Sequence, residues 1–138
     1  MRRTHWIIGL CGTIAMVAAL DSAGPPTLKT AKELSWTDGA EPAGMKQVLL
    51  WGDPKVGDHG LLVRWKSGTK LPERVSAHGL DIVVLTGTFT IETGGVYKEF
   101  GPGGYLGIPG GTKHILGCEA AGECKFLVHR RAPADVTP

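Results

Sequence analysis

No stretch of this sequence carries the apolar period of a capped helix, and no tract of a single charge runs through it. The first absence argues against a helical bundle. The second, with 15 Lys and Arg against 13 Asp and Glu and a formal charge of +2, leaves no electrostatic footprint for nucleic acid or an anionic membrane. Phosphate-loop spacing is missing too, so "GDP" at 52–54 and the runs "TGG" and "GPGG" have no nucleotide meaning. No serine sits in a nucleophile elbow. Cysteine is scarce, with three residues in 138. Internal repeats and low-complexity tracts are also absent.

What is present begins with an N-terminal export pattern. "MRR" is a basic start and "WIIGLCGTIAMVAAL" an apolar run of signal-peptide length, followed by small residues. Cleavage after Ala19 or after Ala23 fits equally well, and an uncleaved anchor remains the alternative. Leu10 ahead of Cys11 does not suit a lipid-anchor signal. The reading is therefore a signal peptide over 1–23, a linker over 24–32, a domain over 33–131 and a tail over 132–138. The mature protein is expected in the periplasm or outside the cell, with no membrane insertion after cleavage. Loss of Arg2, Arg3 and Asp21 takes the formal charge from +2 to +1. Cys118 and Cys124 then remain, and in an oxidising compartment their short separation suggests a disulfide. A free or metal-bound thiol pair is the alternative. His114 and Cys118 share a strand face by even spacing, but a bridge would remove the thiolate that a nucleophile needs.

The rest is a series of short strands with turn signals between them. "KQVLLWG", "LLVRWK", "DIVVLTGTFTIE", "VYKEF", "YLGI", "KHILGC" and "CKFLVHRR" alternate or run apolar, separated by Gly- and Pro-rich stretches. Gly87 is expected to bend or turn the longest of them. Strands recurring at this interval point to an all-β sandwich or barrel.

Residues 101–114, "GPGGYLGIPGGTKH", carry a recognisable spacing: Gly103, five residues, Pro109, one residue, Gly111, two residues, His114. This resembles the second motif of the cupin superfamily, with Cys118 where that motif ends in asparagine. "DIVVLTGTF" resembles the end of the first motif, and "LLWGDPKVGDHGLLVRWKSG" the run ahead of it in small bacterial cupins of the ChrR-like type. The resemblance covers residues 45–130 and implies a double-stranded β-helix, a jelly-roll barrel. It also implies that cupin-like pairing through barrel edges could make a homodimer.

The resemblance breaks at the metal ligands. Cupins that bind metal carry H-x-H followed by a glutamate, and here the region reads "PERVSAHGLD". Counted without a gap from Gly87, the histidine positions fall on Arg74 and Ser76. With a turn two residues shorter, they fall on Ser76 and His78, and Asp81 takes the acidic position. The resemblance then implies His78, Asp81 and His114 as ligands of a divalent ion (Fe, Mn, Ni or Zn), a facial set that leaves positions open for substrate. On this reading the protein binds a metal and a small organic ligand, with dioxygenase-like chemistry in range. The alternative is a metal-free barrel that binds or senses a small molecule without catalysis. In that case Arg74 points inward and holds an anion, with the tryptophans beside it. His59 is expected exposed in its turn, and His129 at the surface beside Arg130 and Arg131. Trp36, Trp51 and Trp65 are expected in the core or at one mouth of the barrel.

Overall fold

A computed structural model describes residues 24–131. The expected signal peptide over 1–23 and the expected tail over 132–138 lie outside the described residues. Among the described residues a 3-10 turn at Ala31–Glu33 is followed by ten strands. They are β1 (Thr37–Asp38), β2 (Lys46–Gly52), β3 (His59–Trp65), β4 (Arg74–Val75), β5 (Leu80–Thr86), β6 (Phe89–Thr93), β7 (Val96–Phe100), β8 (Tyr105–Ile108), β9 (Lys113–Cys118) and β10 (Cys124–Arg130). β1 and β4 have two residues each, too short to leave an alternating trace in the sequence.

All pairing is antiparallel, in two sheets of order β1-β2-β3-β10-β5-β8 and β4-β9-β6-β7. This is the expected all-β jelly-roll architecture. Gly87 divides the longest apolar run: it has φ +80°, and a Cβ there would lie 2.5 Å from the Glu123 carbonyl oxygen. A side chain is thus excluded by both backbone and space.

Period-two alternation fills the interior. Leu80, Ile82 and Val84 of β5 and Cys124, Phe126 and Val128 of β10 are buried, while the residues between them are at least partly exposed. At one end, the floor, Trp65, Phe89 and Phe126 meet with ring centroids 4.7–5.5 Å apart. A Cys118–Cys124 disulfide closes that end. The register places His59, Arg130, Leu80 and Ile108 side by side at the other end, the mouth.

Trp51 departs from the simple alternation. Leu49 pairs with Leu61 but Trp51 pairs with Gly60, so the register shifts by one residue between them. Such a bulge turns the following side chain to the opposite face. Trp51, expected in the core or at one mouth of the barrel, instead lies over Gly60 on the outer surface, 46% exposed. Trp36 is also outside, half-buried against the Arg64 guanidinium at 4.9 Å. Among the described residues only Trp65 is a core tryptophan.

Candidate functional site

The Gly- and Pro-rich stretch before His114 is a positioning device. Gly111, at φ +80°, donates its N–H to the Ser76 carbonyl at 2.8 Å, and Thr112 N–H reaches Pro109 at 3.3 Å. Gly110 comes so close to the segment ahead of β5 that a Cβ would lie 2.4 Å from the Ala77 oxygen. This turn sets β9 against β4, with Arg74 opposite His114 and Val75 opposite Lys113. His114 is buried, and its Nδ1 is 2.8 Å from the Thr112 carbonyl. That contact requires a proton on Nδ1 and leaves Nε2 for any group inside the barrel.

Between the sheets, opening toward the mouth, lies a cavity of about 100 Å³. Leu61, Val63, Ile82, Leu116 and Val128 make its wall largely aliphatic, and Trp65 and Phe126 lie deeper. Polar groups enter near the mouth, with Arg74, Ser76 and His114 on one side and Arg130 on the other, while Gln47 joins the wall lower down, opposite Val63. Arg74 is paired with Glu41, which also lines the cavity. No sequence pattern marks Glu41, because it lies 33 residues from Arg74. A chain reversal that no local motif encodes brings the two together.

His78, Asp81 and His114 do not converge. Among the described residues no group of three or more His, Cys, Asp or Glu side chains could hold a metal. Alternation gives the reason: Asp81 stands between the inward residues Leu80 and Ile82, so its carboxylate projects from the outer face of the sheet. There it accepts bonds from Arg131 Nε and Nη2 at 2.8–3.0 Å and from Tyr105 Oη at 2.7 Å. The Tyr105 hydroxyl and the Arg131 guanidinium hold its carboxyl below the usual carboxylate range, against the opposing effect of burial. His78 is exposed in the bend before β5. Of the three expected ligands only His114 reaches the cavity, where its neighbour is a guanidinium, a poor companion for a cation. The donor set does not fit a divalent ion.

The other histidines also differ in place. His59, expected exposed, is 1% exposed, because it faces inward at the start of β3 with Nδ1 2.9 Å from the Gly57 carbonyl. Its Nε2 has no hydrogen-bond partner among the described residues. His129 lies on the outer face, 3.5 Å from Asp58 and 3.6 Å from Asp81.

Residues 26–133 match the family model described as the ChrR Cupin-like domain. A search of curated proteins finds none that matches. Among solved structures, the polyketide cyclase RemF from Streptomyces resistomycificus is similar, with 19% identity and a TM-score of 0.67 over 83% of this chain and 87% of that one. KdgF from Halomonas sp. is 17% identical, with a TM-score of 0.62 over 79% of this chain and 96% of that one. An RmlC-like cupin from Shewanella frigidimarina is 16% identical, with a TM-score of 0.64 over 80% and 93%. At these identities the likeness is one of fold.

Proposed function

Because the chain belongs to the ChrR cupin-like family, we propose that its barrel is a metal-free binding site for a small molecule bearing a carboxylate. One observation carries the reading: Arg74 lies opposite His114 at the mouth of a cavity whose wall is otherwise mainly aliphatic. The guanidinium supplies a planar pair of donors that matches a carboxylate. The aliphatic wall takes up the ligand's carbon skeleton, and burial of that skeleton is the main favourable term. His114 Nε2 adds a second polar group at the same end. Ser76, His114 and Glu41 all line the cavity, but Glu41 is paired with Arg74 and His114 Nδ1 is held by the Thr112 carbonyl, an arrangement that supports binding.

Isothermal titration calorimetry with 4-methylpentanoate tests this, using wild type and Arg74→Gln. Removing the charge from a charge-assisted hydrogen bond weakens binding by at least about tenfold. No heat of binding in the wild type, or equal affinity in the variant, overturns the proposal. Titration with Zn, Fe, Mn and Ni in parallel checks the metal-dependent alternative, which a tight, His114-dependent site would restore.

We also propose that the protein works outside the cytoplasm. The Cys118–Cys124 bridge suits an oxidising compartment. Among the described residues no helix is long and apolar enough to cross a membrane. Fractionation with N-terminal sequencing of the mature chain tests this location.

A further inference from the structure

Arg74 does not meet the cavity alone. Its guanidinium is paired with the Glu41 carboxylate, and both side chains belong to the cavity wall. Glu41 arrives on the loop between β1 and β2. That loop is held by Gly39 N–H on the Met45 carbonyl and Met45 N–H on the Pro42 carbonyl, each at 3.0 Å. Met45 and Gln47, which follow it, line the same cavity, so the loop is one side of the site. The cavity thus presents the Glu41–Arg74 pair, a charge of each sign side by side, above an aliphatic interior that Arg130 also borders.

The geometry points to a zwitterionic ligand: an α-amino acid with an aliphatic side chain, its carboxylate on Arg74, its ammonium on Glu41 and its side chain in the cavity. The inference rests on the carboxylate-binding reading above and narrows it. A plain carboxylate that takes Arg74 leaves Glu41 beside a second negative charge, and like charges in contact are disfavoured. A plain amine has the converse defect at Arg74. A zwitterion exchanges the one internal ion pair for two pairs with the ligand and leaves neither Glu41 nor Arg74 unmatched. Opening the internal pair is easy, because its side chains are 37% and 63% exposed and pairs in that setting hold weakly. Size sets the other limit. The cavity of about 100 Å³ is smaller than the roughly 150 Å³ that accommodates benzene, which suits a branched side chain of three or four carbons.

Three probes with one carbon skeleton separate the charge requirements: L-leucine, 4-methylpentanoate and 3-methylbutylamine. Each is titrated calorimetrically into the purified wild type, Glu41→Gln and Arg74→Gln, with circular dichroism melts to check that each variant is folded. Glu41→Ala serves as the second variant if Glu41→Gln melts early. The wild type is expected to bind leucine about two- to fivefold more tightly than either analogue, the range that exposed ion pairs support. Glu41→Gln is expected to reverse the order of leucine and 4-methylpentanoate, and Arg74→Gln to weaken both. A wild type that binds 4-methylpentanoate as well as leucine overturns the inference. So does a Glu41 variant that leaves their ratio unchanged. In either case weaker binding by Arg74→Gln leaves the carboxylate reading standing. Absence of binding to all three probes overturns both.

Discussion

Replacing Cys118 and Cys124 together by alanine opens the covalent closure at the barrel floor. The bridge joins residues six positions apart, so it closes a seven-residue loop. The chain-entropy relation for a loop of that size gives about 2.4 kcal/mol of stabilisation. Both cysteines are buried, at 4% and 0% exposure. Removing two sulfurs from packed positions therefore costs something further, comparable to about 0.8 kcal/mol per buried methylene. A total of about 2–4 kcal/mol is a large fraction of the roughly 5–15 kcal/mol that small domains possess. With a urea slope of about 2 kcal/mol per molar, the middle of the usual range, the unfolding midpoint falls by about 1–2 M. Binding at the mouth should be unchanged, because Cys124 and Arg130 sit at opposite ends of β10, about 20 Å apart at the usual rise. Urea titrations of wild type and double variant read the stability, and calorimetry with 4-methylpentanoate reads the site. Equal midpoints would refute the argument. So would alkylation of Cys118 and Cys124 in unreduced, denatured wild type, since the bridge would then not exist.

Two further predictions concern the outer face. Asp81 has its carboxyl held below the usual range in the folded protein, so it contributes stability above about pH 4, its unfolded range, and loses it as pH falls through the lower folded value. Asp81→Asn should therefore be less stable at neutral pH and should lose less on acidification from pH 5 to pH 3. Urea midpoints across that interval check this, and parallel slopes for the two proteins would contradict it. Gly60→Ala would place a Cβ 2.2 Å from the Trp51 ring and should lift the indole from the sheet. Faster acrylamide quenching is expected, and quenching equal to wild type would show that the ring does not rest on Gly60.

Much of this fold is legible in the sequence because alternation and turn chemistry agree. "VYKEF", "YLGI" and "KHILGC" coincide with β7, β8 and β9, and Gly87 turns the chain where the longest apolar run needs a break. Legibility fails where the period does. The bulge before Trp51 adds one residue to β2 and sends the indole outward, and no residue type in "LLWG" signals it. His59 sits after "VGD", which reads as turn, yet β3 begins on it and faces it inward. At the site, the turn delivering His114 is written in its glycines, whereas Asp81 shares its strand with Leu80 and Ile82 and so alternates out of reach. Glu41 could not be read at all, because its role depends on a contact between distant parts of the chain.

The two ends of the barrel answer to different demands. The aromatic cluster of Trp65, Phe89 and Phe126 and the adjacent disulfide secure one end, while Glu41, Arg74 and His114 line the other. Substitutions at Phe89 or the disulfide, which do not line the cavity, are expected to register chiefly as reduced stability, and on the proposed binding reading those at Glu41 and Arg74 as changed selectivity. The rim is therefore free to diversify. A library confined to Glu41, Arg74 and Ser76 would explore new ligands on a foundation that none of its members disturbs.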